Sequence, residues 1–439
     1  MFCTYMKKLI FTICALLFTC FVNAEGDLLG IVPFATSSNV TVTYDEDEEE
    51  FTSGNSFDVN LIYSKDYIAC DFKFYVPSGK FVFVEESAQG GEIMPKKSSG
   101  AIYHTTKIGK VDSDIEGYEC YRVMAYNDGS KTRTFTAAVS GKSLFKIYYG
   151  TKEIAAGVYP IYVKDVILTI STNSFVSVEG ISTSYVKVGS PTDASLAVTG
   201  LVPSFVTSAL NSETAITTLD LTGATAINGE FALLDNRSLV LPEKDITVEK
   251  GTYTRNVPTG HSTLCLPFAY TCGNKNFTIS TYGGLKNGKS LILNSAGTEI
   301  AANTPVIFTA GSAATLTLST SKSFKLNGAN SLTVEKDGVS LVGTYAKINA
   351  PKDSYVLQSQ SGNEAFYKVG STVPSVPANR CYLEGSVAGV KAIAFPDGAT
   401  AIDALEADAS NGDIYDIAGR KVNKADKGIY IVDGKKVVK

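Results

Sequence analysis

Between about residues 39 and 188 the apolar residues of this chain recur at every second position, and that period confines the segment to half-buried strands. In residues 56–63, Phe57, Val59, Leu61 and Tyr63 share one face, while Asp58 and Asn60 take the other. Residues 71–76 repeat the pattern with Phe72, Phe74 and Val76 inward, and residues 144–149 and 158–163 continue it. Pro77-Ser78-Gly79, Asn127-Asp128-Gly129 and Ser140-Gly141 break the runs, and residues of these types reverse a chain tightly. Short alternating strands with regular turns predict an antiparallel sandwich in which each sheet buries one face.

The pattern changes between 193 and about 250. Residues 195–200 read as a strand, residues 202–210 as a short helix with Pro203 and Ser204 in its first turn, and residues 216–223 as a second strand. Strands return over 252–396, at residues 253–258, 261–268, 301–308, 354–357 and 378–383. Residues 397–410 read as a linker. Residues 411–439 form a last unit, with a strand and turn at 414–422 and a hairpin over 427–439 whose Asp433-Gly434 is a favoured two-residue turn. The expected fold class is mainly β, with two antiparallel β-sandwich-like domains joined by a short βαβ bridge and followed by a small C-terminal β segment.

The first 24 residues read as an export signal. Lys7 and Lys8 precede the apolar run 9–18, and Val22 and Ala24 supply the −3 and −1 positions of a cleavage site between Ala24 and Glu25. Met6 is an alternative start, and a lipid anchor at Cys20 is the rival reading, against which Thr19 is a poor neighbour. No later stretch approaches eighteen apolar residues, so the mature chain is expected to carry no transmembrane helix. The localisation expected is exported, at the cell surface or outside the cell.

Four resemblances add to this reading. Residues 54–59, 68–79, 121–127 and 141–147 resemble successive elements of cohesin-type modules over about residues 36–190. That resemblance implies a sandwich close in fold to carbohydrate-binding modules, and a role in holding a dockerin domain. Leu219-Asp220-Leu221 after the helix resembles one turn of a leucine-rich repeat; a free-standing solenoid needs about three, so the 193–250 bridge is expected to pack on a neighbour. Residues 252–396 resemble a recurrent β-domain of secreted Bacteroidetes-type proteins, with His261 where an aromatic tends to stand. The 411–439 tail resembles the C-terminal sorting domains of proteins exported by the type IX route in that group.

Catalytic and cofactor chemistry finds little support. Residues 283–290 match G-x-x-x-x-G-K-S letter for letter, but residues 291–297 read as a strand where a phosphate-binding loop needs a helix, so the glycines are expected to close a hairpin and no nucleotide is expected. The chain has two histidines. His104 lies in an alternating strand, where an outward polar residue is expected; His261, at a strand entry, is expected to pack. There is no G-x-S-x-G elbow, while paired carboxylates meet in space rather than in sequence and leave a hydrolase as the last-ranked alternative. The acidic run 45–50 reads as a solvated loop rather than a calcium site, and no cofactor is expected. Of eight cysteines, Cys3, Cys14 and Cys20 leave with the signal; Cys70, Cys120, Cys265, Cys272 and Cys381 read as isolated buried thiols, with 265–272 and 70–120 bridges as alternatives.

Removing residues 1–24 takes two lysines from the 39 basic residues and none of the 44 acids, leaving a charge of −7. That sign argues against nucleic acid. Tyr75, Tyr126, Tyr148 and Tyr162 fall on outward phases of their strands and form the candidate binding face. The function expected is an exported, non-catalytic binding or adhesion protein with a protein or cell-surface glycan partner. A polysaccharide-binding accessory protein is the alternative, and the absence of tryptophan weighs against it.

Overall fold

The computed structural model describes residues 66–396 apart from 128–132, 137–141, 153, 321 and 361. Outside that span it describes residues 30–31, 35–36, 44–45, 50–51, 55–60, 414–416, 420–422, 429–432 and 435–438. The signal at 1–24, the 397–410 linker, most of the acidic run and the turns at 128–129 and 140–141 therefore lie outside the described residues. The chain divides into two compact units, the first comprising Met1–Leu233, Leu239–Gly251 and Ser321–Gly328, and the second the remainder.

The longer strands that begin in the first unit are β1 (Asn55–Asn60), β2 (Ala69–Pro77), β3 (His104–Val111), β4 (Tyr118–Asn127), β5 (Ser143–Thr151), β6 (Gly157–Ser171), β7 (Ser174–Val188), β8 (Ala194–Val202), β9 (Ile216–Leu234) and β10 (Ile246–Val257), whose residues from Thr252 onward belong to the second. One sheet is built on β1 and β5, and a second runs β3-β4-β2-β6-β7-β8-β9. The period of two decides which side chains meet between them. Phe57 and Val59 of one sheet face Phe72, Phe74, Val123 and Ile161 of the other in one buried cluster. Phe74 is fully buried and lies edge-on to Phe57 at 5.7 Å and stacked on Tyr121 at 5.5 Å. The sandwich expected from the alternation is therefore present.

Residues 194–234 form strand, helix and strand. Helix α1 (Ser204–Ser212) follows β8, with Pro203 at its N-cap and the Thr207 N–H donating to Pro203 O at 2.9 Å. It buries Val206, Thr207 and Leu210. The helix lets β8 and β9 pair in parallel, a connection too long for a hairpin. Within the first unit β8 also pairs in parallel with β7 at Ser182 and Leu201.

The second unit carries β11 (Gly260–Leu264), β12 (Phe277–Lys286), β13 (Ser290–Ser295), β14 (Val306–Ala310), β15 (Val339–Thr344), β16 (Tyr355–Gln360), β17 (Asn363–Lys368), β18 (Arg380–Glu384) and β19 (Ala392–Ala394). They form one sheet in the order β11-β14-β12-β13-β19-β17-β16-β18-β15. The G-x-x-x-x-G-K-S segment closes the β12–β13 hairpin, with Lys286 paired to Ser290 and Asn287 and Gly288 at φ 53° and 69°. It is a turn with a following strand, as the sequence predicts. Arg380 donates to both oxygens of Asp235 at 2.6 and 2.7 Å and to the Tyr253 hydroxyl at 2.9 Å, anchoring the 234–238 turn within this unit.

A glycine is required at 343, because a methyl group there would stand 2.5 Å from Cys265 Sγ. Gly343→Ala is expected to destabilise the second unit by about 1–3 kcal/mol through overpacking, read as a lower urea midpoint. At the C-terminal end, Ile429–Val432 and Lys435–Val438 pair with Val432 opposite Lys435, and Ile414–Asp416 and Lys421–Val422 extend this to four strands.

Candidate interaction face

Strand β2 is the axis of the face. Its Cys70, Phe72, Phe74 and Val76 enter the sandwich core, so Asp71, Lys73 and Tyr75 point away from it. β4 sets Cys120, Arg122 and Met124 opposite Tyr75, Lys73 and Asp71, and β6 sets Tyr162, Lys164 and Ile167 opposite the same three. This register places Arg122, Lys73 and Lys164 side by side across three neighbouring strands. Like charges directly opposite one another are destabilising, and here each is answered by a carboxylate from a different source.

Arg122 Nε donates to Asp71 Oδ1 at 2.9 Å and Oδ2 at 3.2 Å, with Nη2 also on Oδ2, reaching the diagonal neighbour on β2. Lys73 Nζ donates to Asp165 Oδ2 at 2.7 Å. Asp165 is the extra residue of a β6 bulge and has φ 54°, which turns its carboxylate onto the face. Lys164 donates to Asp114 of the 112–117 loop, whose Oδ1 also accepts the Tyr75 hydroxyl at 2.7 Å. The result is a neutral belt of three fixed ion pairs.

One end of the belt is closed. Tyr75, Cys120 and Tyr162 are 0%, 0% and 4% exposed, packed by Val111, Ile115, Tyr118 and Ile181. The Tyr118 ring lies 4.9 Å from Tyr162 and its hydroxyl donates to the Tyr162 hydroxyl at 3.3 Å. Burial first, then the Asp114 carboxylate, pushes the Tyr75 phenol far above its ordinary value. The Lys164 ammonium and the Tyr75 hydroxyl hold the Asp114 carboxyl down at about 2. A depressed carboxylate stabilises above its unfolded value and ceases to do so as pH falls through its folded one. The 112–117 clamp should therefore persist to about pH 4 and release as pH approaches about 2. A carbon-detected NMR titration of Asp114 reads this directly; a midpoint at the ordinary 3.8 contradicts it.

The other end is open. Tyr126 pairs with Ala69, Ala69 with Thr169, and Thr169 with Phe175, so Tyr126 and Phe175 end one row across four strands. Three strand spacings separate them by about 14 Å. Their exposures, 41% and 36%, stand beside half-buried Met124 and Ile167 in the next row. The face thus grades from a closed aromatic end, through paired charges, to an open apolar and aromatic end.

Three expectations need correction. Tyr75 and Tyr162 do point outward from the sandwich, but the 112–118 segment covers them, so neither is available at the surface. Tyr148 is half-buried on β5, in the opposite sheet, and so cannot share a face with Tyr126. Only Tyr126 of the four stands open on this face. His104 is buried at 3% exposure rather than outward, because the pairing of Phe135 with Tyr67 lays the Phe135 ring 5.3 Å from the imidazole. Asp71, Lys73, Asp114, Arg122, Lys164, Asp165 and Phe175 were not singled out by the sequence. Only their place on polar phases marks them there.

His261 stacks on Phe395 at 3.6 Å, and Glu364 Oε2 takes its backbone N–H at 2.8 Å and lies 2.9 Å from Nδ1. Packing is thus the role of His261, as expected. The five described cysteines are free thiols. Cys120 stands opposite Tyr75, an odd five residues from Cys70, so the two thiols leave opposite faces of the sheet and cannot join. Among the described residues no three His, Cys, Asp or Glu side chains cluster to hold a metal ion, and no helix is long and apolar enough to cross a membrane. A cavity of about 230 Å³ beside the β6 bulge is lined by Val163, Val166, Val178, Ile181 and Leu201 with Ser182 and Thr225 as its hydroxyls, and it offers no acid, base or nucleophilic thiol.

No protein-family model matches the chain, and no curated protein matches its sequence. Several solved structures overlap it in part. A cohesin module from a Clostridium perfringens family 33 glycoside hydrolase is 9% identical, over 37% of this chain and 96% of that one, at a TM-score of 0.23. The cohesin–dockerin complex Coh-OlpA-Doc918 of Clostridium thermocellum is 12% identical, over 37% and 99%, at 0.25. The seventh ScaB type I cohesin of Pseudobacteroides cellulosolvens is 15% identical, over 38% and 93%, at 0.24. At these TM-scores the overlaps carry neither fold nor partner to this chain, whose account rests on its own residues.

Proposed function

We propose that this chain is an exported, non-catalytic binding protein whose first unit holds a folded protein partner on the outer face of β3-β4-β2-β6-β7. The observation that carries the reading is the open row ended by Tyr126 and Phe175, backed by Met124 and Ile167 and bordered by paired charges. An aromatic and Met-containing centre with a polar rim is the composition of a protein interface. The paired charges are held in place before binding, so a partner need not order them. The partner fitting this face presents an apolar patch with neutral polar surroundings. The cohesin-type patterning of residues 36–190 favours a small partner domain of the dockerin kind.

Export and sorting belong to the same proposal. Residues 1–24 direct the chain out of the cytoplasm, and residues 411–439 pass it to the cell surface or medium. Deleting 411–439 is expected to leave the protein in the periplasm, and unchanged surface or medium levels would remove the sorting role. The binding role is tested by affinity capture from the native cell envelope with the mature chain, beside a glycan array probed with the same chain. A captured protein lost on Tyr126→Ala supports the reading. Tight glycan binding lost on the same substitution replaces it with polysaccharide binding.

A further inference from the structure

Two thiols of the second unit converge where neither has a covalent partner. Cys381 of β18 stands directly opposite Gly343 of β15, and Leu383 is paired with Leu341 on the same face of the sheet. Gly343 has no side chain, and Cys265 Sγ lies 2.5 Å from where its Cβ would stand. Cys265 therefore projects onto the sheet face that carries the Cys381 side chain. Directly opposed Cβ positions lie about 4.5–5.5 Å apart, which brings the Cys265 sulfur within reach of Cys381.

The backbones on either side are tied together. Cys265 N–H donates to Asn379 O at 3.3 Å, and Thr263 Oγ1 accepts from Cys381 N at 2.9 Å and donates to Cys381 O at 3.3 Å. Cys381 Sγ itself lies 3.4 Å from Leu264 O, the carbonyl that precedes Cys265. Both cysteines are buried, at 0% and 2% exposure. Cys272, by contrast, is partly exposed, follows the Tyr270–Thr271 strand and donates its N–H to Thr298 O at 3.3 Å.

We infer that Cys265 and Cys381 are a redox pair that closes to a disulfide when the chain folds under oxidising conditions, linking β18 to the segment that follows β11. In the reaction the two thiols give up two protons and two electrons as the S–S bond forms. A disulfide oxidant such as oxidised glutathione takes them up, its own S–S bond breaking to give two thiols. Exchange proceeds through a thiolate. Burial pushes the Cys265 thiol up to about 12 and the Cys381 thiol well above its ordinary value, so the folded, reduced protein reacts slowly. Closure accordingly belongs to folding, before the core excludes the oxidant.

The test is to refold the denatured chain in a buffer of oxidised and reduced glutathione, and to map its peptides without reduction. The expected result is a linked peptide pair containing Cys265 and Cys381, lighter than its separate components by two hydrogens, with Cys70, Cys120 and Cys272 unlinked. The same oxidant added to protein already folded in the reduced state should form the link far more slowly. The oxidised protein should also melt at a higher temperature than the reduced protein. In Cys265→Ala, which keeps the chain's other thiols, that difference should vanish. A chain refolded in the glutathione buffer with both thiols free, or with either joined to Cys272 instead, overturns the inference.

Discussion

Phe74→Ala is expected to lower the stability of the first unit by about 3–5 kcal/mol, the cost of truncating a fully buried Phe to Ala. Phe74 is 0% exposed and lies at the meeting point of the two sheets. Its ring contacts Phe57 at 5.7 Å, Phe83 at 5.1 Å and Tyr121 at 5.5 Å, so removing it opens a void whose walls belong to three separate strands or loops. Strand pairing fixes those walls and limits how far they can collapse, which places the cost high in the range. Urea unfolding followed by near-UV circular dichroism reads the change. A loss below about 1 kcal/mol would mean that the two sheets do not share this core.

The second large effect concerns binding. Replacing Tyr126 and Phe175 together by alanine is expected to weaken partner capture by about a hundredfold or more, since buried aromatic anchors at an interface each contribute on the order of 2 kcal/mol. Both rings are already part-exposed in the free protein, at 41% and 36%, so their removal should leave the melting temperature nearly unchanged. That separation distinguishes loss of a surface from loss of the fold. Asp71→Asn should act differently. It replaces the carboxylate paired with Arg122 at the edge of the site by a neutral amide, and a moderate loss of affinity is expected, together with greater sensitivity to salt. Equal capture by wild type and the aromatic double variant would move the interface elsewhere.

Strands were the most legible feature of this sequence, because a period of two states directly which side chains are buried. Phe57, Phe72, Phe74 and Ile147 all lie in the core that alternation assigns to them. What alternation cannot state is register. Arg122, Lys73 and Lys164 are far apart in sequence, and only the pairing of β4, β2 and β6 places them in one row. Nor can it state what lies over an outward residue. Tyr75 and Tyr162 have the phase expected of surface residues, yet Ile115 and Tyr118 cover them. Ile115, a lone apolar residue between Asp114 and Glu116, was the available signal that the loop is pinned. The bulge at Asp165 was invisible for a related reason. Its φ of 54° departs from strand geometry while its neighbours keep a strand-like sequence. The start of helix α1, by contrast, was readable from Pro203 and the short apolar run after it, because helix starts carry local chemistry.

Site-specific photo-cross-linking can show whether a partner sits on the row of Tyr126 and Phe175. A photoreactive phenylalanine analogue placed at position 126 or 175 of the chain, and separately at position 148 on the opposite sheet, is exposed to the native cell envelope and irradiated. One protein adduct common to positions 126 and 175 and absent from position 148 is expected. An adduct from position 148 alone, or capture of the partner with no adduct from either 126 or 175, would contradict it.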